Sequence, residues 1–109
     1  MAEVLGQVGR DKSSAMKAVW SRRAVLHLVH LRAYIAKESA RNAAWVANRI
    51  LNAVDLLQAH PELGRPGRLA GTRELVVTDT PYIIPYRVRH GRLELLAVFH
   101  GRQKWPTKL

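Results

Sequence analysis

The feature that most restricts the fold is a repeat of two residues in the last third of the chain. Apolar side chains occupy alternate positions in three runs, at residues 74–78, 82–88 and 93–100. This period is typical of β-strands, whose successive side chains point to opposite faces of a sheet. Few charges interrupt the runs. We therefore expect an apolar layer to cover one face of the sheet, while the other face stays open to solvent and to partners.

Two amphipathic helices are predicted upstream of these strands. Ser21 and Ser39 are suited to cap their first turns, and Pro61 should end the second helix. The break near residues 38–41 is short, so the helices should form an antiparallel hairpin that packs on the sheet. Their apolar stripes are Ala24, Leu28, Leu31 and Ile35 in the first helix, and Ala43, Val46, Ala47, Ile50, Val54 and Leu57 in the second.

The remaining elements are short. Residues 17–20 suit a strand, residues 61–67 form a compact turn, and Gly91 supplies the positive φ of a hairpin turn. The predicted fold class is therefore α+β, with an N-terminal strand, an antiparallel helix hairpin on one face of the sheet, and a three-stranded antiparallel meander. We expect one folded domain at residues 16–109, preceded by a flexible N-terminal extension at residues 1–15.

The charge of the chain favours an anionic partner. Eighteen lysines and arginines against eight acidic residues give a formal net charge of +10. Such an excess attracts polyanions through its long-range field. Nucleic acid, the ribosome and an acidic protein all meet this description, and charge alone does not choose among them.

Several kinds of site are not expected. Cysteine is absent, which excludes disulfides and thiolate metal sites and fits a reducing compartment. His27 and His30 lack a third ligand at matching spacing, so we predict exposed histidines and no metal. Gly64 and Gly67 are not followed by the Lys-Ser/Thr pair of a P-loop, so we expect no nucleotide or other cofactor. No apolar run approaches the ~18 residues of a membrane span. We expect a cytoplasmic protein with no membrane partner.

Four segments match, in type and order, the motifs of a known toxin superfamily. They are Pro-Glu-Leu-Gly-Arg-Pro-Gly at 61–67, Gly-Thr-Arg-Glu-Leu-Val-Val at 71–77, Thr-Pro-Tyr-Ile-Ile-Pro-Tyr-Arg-Val at 80–88 and His-Gly-Arg-Gln-Lys-Trp-Pro at 100–106. With the strand and helix pair before them, they resemble the RelE/ParE toxins of type II toxin–antitoxin, or plasmid-stabilisation, modules. The resemblance covers residues 16–106. It implies a cognate antitoxin that binds DNA through one end and wraps the toxin with an acidic, amphipathic tail.

The resemblance leaves two mechanisms open. RelE-like toxins are nucleases that cleave mRNA in the ribosomal A site, whereas ParE-like toxins inhibit growth and replication by binding DNA gyrase and need no catalytic residues of their own. Cleavage of RNA requires activation of the 2′-hydroxyl, stabilisation of the phosphorane and protonation of the leaving oxygen. If this chain is a ribonuclease, Arg68, Arg73, Arg87 and His100 are the candidate catalytic residues.

Part of the RelE-like pattern is missing here. The sequence has Leu75-Val76-Val77 where that branch carries a cationic strand, and Trp105 near the end, where a tyrosine would be expected. The alternative for these residues is a purely structural role. In that case Arg73 and Glu74 pair with neighbours along exposed sheet edges, and Arg87 closes a hydrogen-bond network beneath the hairpin. His100 then makes structural hydrogen bonds at the end of a strand. We also expect Tyr82 and Tyr86 to belong to the core.

The closing segment at residues 99–106 resembles the ParE-like branch more closely. We therefore predict a gyrase inhibitor that an acidic antitoxin neutralises, without catalysis of its own. A RelE-like mRNA endonuclease is the alternative, and a non-toxic, basic nucleic-acid-binding module is the second alternative. The residues expected to bind the target or the antitoxin are Trp45, Arg65, Arg68, Arg73, Arg87, Arg102, Lys104 and Trp105.

Overall fold

A computed structural model describes residues 15–109 of the chain. The predicted extension at residues 1–15 lies outside the described residues, except for its last residue. The elements confirm the predicted order of strand, two helices and antiparallel strands. They are β1 (Lys17–Trp20), α1 (Arg22–Ala36), α2 (Ala40–Ala59), a 3₁₀ turn (Pro61–Leu63), β2 (Arg65–Pro66), β3 (Arg73–Val76), β4 (Tyr82–Arg89), β5 (Arg92–Leu95) and β6 (Phe99–His100).

The strands form one sheet with the order β1-β5-β4-β3-β2. β1 pairs with β5 in parallel, whereas the pairs β2–β3, β3–β4 and β4–β5 are antiparallel. β6 pairs with the start of β4 and so continues the line of β5. β1 thus forms one edge of the sheet, next to β5, and β2 forms the opposite edge.

The two helices begin where the sequence predicts and bury the predicted stripes. The hydroxyls of Ser21 and Ser39 each accept a hydrogen bond from the backbone N–H three residues later, at 3.0 Å. All six apolar residues of the α2 stripe are buried, and Ala24 and Leu31 of α1 are buried with them. Ala24, Leu31 and the four larger residues of the α2 stripe share one core cluster with Ile84, Tyr86, Leu93 and Leu95 of the sheet and with Val77, which follows β3. Within residues 15–109, neither helix is long and apolar enough to cross a membrane.

A bulge interrupts the last predicted strand. Between the pairs Tyr86↔Leu95 and Ile83↔Phe99, β4 advances by three residues while its partner advances by four. The extra residue is a β-bulge, which shifts the alternation of faces by one position. Val98 therefore joins the main core cluster, whereas Phe99 is buried outside it, between the rings of His27 and Trp105. This corrects the expectation that Phe99 shares a face with Leu95.

Tyr86 ties the turn after α2 to the sheet. Its ring is fully buried, as predicted, and its hydroxyl donates to the Pro61 carbonyl at 2.7 Å and accepts from the Gly64 N–H at 2.8 Å. Gly64 is in contact with this ring, so a side chain there would meet the hydroxyl. The β4–β5 hairpin turns through His90 and Gly91, both with positive φ, which is the geometry of a type I′ turn.

Candidate functional site

The face of the sheet turned away from the helices, here called the open face, is rich in cations. Side chains paired across neighbouring strands lie on the same face, and those at alternate positions along one strand share it. The register therefore assigns its members, which are Lys17 and Val19 of β1, Arg92 and Glu94 of β5, Ile83, Pro85, Arg87 and Arg89 of β4, Glu74 and Val76 of β3, and Arg65 of β2. Cations outnumber the two carboxylates on this face.

The first of these carboxylates, Glu74, anchors what we call the Glu74 cluster, which comprises Glu74, Arg65, Arg68 and Trp105. Glu74 is 3% exposed and accepts hydrogen bonds from Arg65 Nη2 at 3.1 Å, from Arg68 Nε at 3.0 Å and from the Arg68 backbone N–H at 2.8 Å. The Arg68 guanidinium lies 3.6 Å from the centroid of the Trp105 ring, which in turn packs on Phe99. Glu74 is thus a buried anchor rather than part of an exposed edge pair.

The hydrogen bonds control the charge of Glu74. Burial by itself raises the pKa of this carboxyl, but the backbone N–H and guanidinium of Arg68, with the guanidinium of Arg65, lower it below the ordinary value of 4.5. The carboxylate therefore stays ionised at neutral pH and can hold both arginines. Through Arg68 it also positions Trp105 and the segment that follows β6.

Replacing Glu74 with glutamine is expected to cost about 1–2 kcal/mol of unfolding free energy at pH 7, because charge-assisted hydrogen bonds to half-exposed arginines are lost. The pKa of Glu74 is lower in the folded state than in the unfolded state. Its stabilisation is therefore complete above pH 4.5 and disappears as the pH falls through the folded value. Urea unfolding at pH 7 and pH 3, followed by tryptophan fluorescence, should show the difference in unfolding free energy between wild type and E74Q shrinking in acid. A difference independent of pH would contradict this role.

The second carboxylate, Glu94, binds two further arginines of the open face. Glu94 Oε1 lies 2.6 Å from Arg87 Nε and 3.4 Å from Arg89 Nε. The hydrogen bond from Arg87 lowers the pKa of Glu94 and outweighs the opposing effect of burial. Arg87 stands directly opposite Glu94 in the register. Arg87 therefore takes part in a hydrogen-bond network within the fold, which is the structural role that the sequence suggested as the alternative to catalysis.

The four candidate ribonuclease residues do not converge. Arg68 and Arg87 lie on the open face, where each contacts a different carboxylate. Arg73 stands opposite Tyr86, on the side of the helices, and its Nη1 donates to the Gly64 carbonyl at 2.7 Å. His100 stands opposite Tyr82, also on that side, and its Nδ1 accepts from the Arg102 N–H. The sheet thus separates Arg73 and His100 from Arg68 and Arg87.

The other predicted binding residues lie in two places. Trp45 is 44% exposed on α2, where its ring packs against the guanidinium of Arg49, on the helix side of the molecule. Arg102 and Lys104 are exposed in the segment after β6. The predicted set therefore does not form one surface. Trp45 belongs to the helix layer, and the two C-terminal cations precede Trp105 in the segment after β6.

His27 differs from its predicted exposure. It is half-buried, its Nδ1 accepts a hydrogen bond from the Val98 N–H at 3.1 Å, and its ring packs on Phe99. Burial, then the nearby charges of Arg23 and His30, lower its pKa. The bulge brings the Val98 N–H to this histidine, which sequence spacing does not reveal. Within residues 15–109, no group of three or more potential ligands is placed to hold a metal ion.

Sequence reasoning missed an apolar groove between the two helices, here called the helix groove. It encloses about 480 Å³ and is lined mainly by alanine and aliphatic side chains, with Arg32 as a cation in its wall. Ala43 and Ala47 are buried there, whereas Val29 and Leu51 remain 55% and 43% exposed. The sequence signal for this groove is the set of alanines on both helices, Ala33, Ala36, Ala40, Ala43 and Ala47. Their small side chains leave space between the helices, and the exposed aliphatic residues Val29 and Leu51 lie beside that space.

Comparisons with known proteins identify relatives over nearly all of the described fold. The family model described as ParE toxin of type II toxin-antitoxin system, parDE, matches residues 18–105. The putative toxin Y4kP of Sinorhizobium fredii is 49% identical over 90 residues, which cover 83% of this chain and 93% of the relative. Toxin RelE2 of Caulobacter vibrioides is 38% identical over 85 residues, which cover 78% and 94%. A solved structure described as the chromosomal ParDE TA system from P. aeruginosa matches with a TM-score of 0.71 and 26% identity, covering 80% of this chain and 97% of that one.

Proposed function

This chain belongs to the ParE family of toxins from type II toxin–antitoxin systems, and from that premise we propose that it inhibits DNA gyrase by binding and is neutralised by a cognate acidic antitoxin. One observation carries the choice of a binding inhibitor over a nuclease. The four candidate ribonuclease residues are divided between the two faces of the sheet, with Arg68 and Arg87 on one face and Arg73 and His100 on the other.

A ribonuclease must place its proton-transfer group and its phosphate-binding cations on one phosphodiester, within hydrogen-bond reach. Here the body of the sheet lies between His100 and the guanidiniums of Arg68 and Arg87. Arg73, on the side of His100, donates to the Gly64 carbonyl, and Nδ1 of His100 accepts from the Arg102 N–H. Arg68 and Arg87 are occupied by Glu74 and Glu94. This arrangement supports an inhibitor that works through its surface.

The C-terminal segment supports the ParE-like target. Its resemblance to that branch includes Phe99 and Trp105, whose ring centroids lie 4.7 Å apart. Trp105 also lies under the Arg68 guanidinium, so the segment is held against the open face. A fixed segment with exposed Arg102 and Lys104 is a suitable contact for a large target enzyme, because it needs little ordering on binding.

The helix groove is the surface that best fits the antitoxin. A groove lined by small and aliphatic residues accepts the apolar face of an amphipathic helix. Arg32 lies in its wall, and the chain carries a net charge of +10, so an acidic helix is attracted where a basic one would be repelled. We therefore propose that an acidic amphipathic helix of the antitoxin occupies this groove, and that its remaining acidic residues extend to the cations of the open face.

The purified toxin is expected to block DNA supercoiling by gyrase, and added antitoxin should restore it. In a parallel translation reaction, mRNA in the ribosomal A site should remain uncut. Cleavage of that mRNA, abolished by Arg87→Ala or His100→Ala in variants that still fold, would instead assign the chain to the RelE-like nucleases. Harmless expression, with DNA or RNA binding but no effect on supercoiling or translation, would contradict both toxic activities.

A further inference from the structure

A row of cations crosses three strands at one end of the open face. The register places Lys17 of β1 opposite Arg92 of β5, and Arg92 opposite Arg89 of β4. All three side chains are exposed. This cation row, defined as Lys17, Arg92 and Arg89, lies beside the β4–β5 turn, away from the end of the open face where Trp105 packs on Phe99.

The row is electrostatically unfavourable in the isolated molecule. Like charges directly opposite on neighbouring strands repel one another, and the strands are only about 4.8 Å apart. Within residues 15–109, the carboxylate that contacts the row is Glu94, which lies 3.4 Å from Arg89 but is held more closely by Arg87 at 2.6 Å. Binding of an external anion would relieve this repulsion.

The surroundings of the row favour phosphate groups over an acidic peptide. Peptides gain most of their affinity from apolar anchors in pockets. Among residues 15–109, the apolar lining of the cavity beside Arg89, of about 230 Å³, consists of Val19, Leu95 and Leu96. Val19 and Leu96 are half-buried and Leu95 is fully buried, so this cavity offers an incoming peptide little apolar surface. Two of the three cations are arginines, whose planar guanidinium can bind phosphate through two parallel hydrogen bonds. The row spans roughly 10 Å, a length over which duplex DNA carries roughly six phosphates.

We propose that the cation row binds the phosphate backbone of double-stranded DNA. The proposal deepens the proposed function and rests on it for its biological meaning, since gyrase holds DNA while it works. The toxin would then contact the enzyme and its DNA at the same time. The turn at His90 and Gly91 next to the row is exposed, and the row itself lies on the face of the sheet turned away from the helices.

The test compares duplex binding by two double variants with the same loss of charge. One variant, Arg89→Gln with Arg92→Gln, removes two cations of the row. The control, Lys37→Gln with Arg41→Gln, removes two exposed cations at the turn between the helices. Arg41 lies 17 residues before Gln58, whose side chain binds the Met16 carbonyl beside the row, so α2 separates the two sites by roughly 26 Å.

Binding is measured by anisotropy of a labelled DNA duplex at several salt concentrations between 50 and 200 mM. Each phosphate contact contributes about 0.9 to the slope of log affinity against log salt. The row variant is therefore expected to lower this slope by about 1.8, whereas the control should leave it unchanged. Thermal unfolding accompanies each measurement, and removal of two repelling charges should not lower the unfolding midpoint of the row variant.

Three results would overturn the proposal. An equal fall in slope for both variants would mean that only the total charge matters, and no change in the row variant would mean that DNA binds elsewhere. Weaker binding of the row variant to polyglutamate, with unaltered binding to the duplex, would assign the row to an acidic protein. A supercoiling assay distinguishes failure of the gyrase proposal from failure of the DNA-binding proposal. If the toxin binds the duplex through the row but does not inhibit gyrase, only the proposed gyrase target is contradicted.

Discussion

Replacing Gly64 with alanine is expected to lower the free energy of unfolding by about 3 kcal/mol. An added Cβ would lie 2.5 Å from Tyr86 Oη and 2.6 Å from Cε1 of the same ring. Tyr86 is fully buried, so the ring has no room to retreat, and overpacking of this kind costs about 1–3 kcal/mol. Displacement of the hydroxyl would also weaken its bonds to Pro61 and Gly64, each worth about 0.5–1.5 kcal/mol.

This effect is measurable as a lower thermal midpoint and a lower urea midpoint. A loss of 3 kcal/mol corresponds to a fall of roughly 12–24 °C for a domain of this size. Gly101→Ala provides the matched control, since the nearest atom to its added Cβ, the Pro81 carbonyl oxygen, is 3.3 Å away. We expect the control to lose less than about 1 kcal/mol, because an exposed segment can adjust. Equal losses for the two variants would show that the contact with Tyr86 is not the cause.

Replacing Leu51 with aspartate is expected to weaken antitoxin binding by about 100-fold. Leu51 lines the helix groove and is 43% exposed, so it can be an apolar anchor for the proposed antitoxin helix. The substitution removes the gain from burying a leucine, about 1.5–3 kcal/mol, and places a carboxylate against an acidic partner. Titration calorimetry of the toxin with its cognate antitoxin measures the change in affinity directly, and 100-fold corresponds to about 2.7 kcal/mol.

Leu63→Asp is the control for this experiment. Leu63 is 47% exposed on the 3₁₀ turn after α2 and does not line the helix groove, so its substitution introduces the same charge on an equally exposed leucine. We expect little change in antitoxin affinity for this variant. If Leu63→Asp weakened binding as strongly as Leu51→Asp, or if Leu51→Asp left the affinity unchanged, the groove would not be the main contact of the antitoxin.

The candidate site was only partly accessible to sequence reasoning. The sequence named Arg65, Arg68 and Arg87 as exposed, partner-facing cations, and all three lie on the open face. It did not reveal that Glu74 and Glu94 already bind them, because the pairing depends on which residues stand opposite across strands. The alanines of both helices indicate small surfaces, but whether two such surfaces face each other and form a groove depends on how the helices pack.

The sequence by itself determined the two helices, the residues that they bury and the order of the main strands. The caps at Ser21 and Ser39, the six buried residues of α2 and the turn at Gly91 all follow from local chemistry and from periods of 3.6 and 2 residues. Only the tertiary structure decided which face of the sheet each side chain after Leu95 occupies. One extra residue between Leu95 and Phe99 shifts the alternation, and only pairing with β4 exposes that shift. Because a single residue of register exchanges the two faces of a strand, the position of Phe99 and the separation of His100 from Arg87 were fixed by strand pairing.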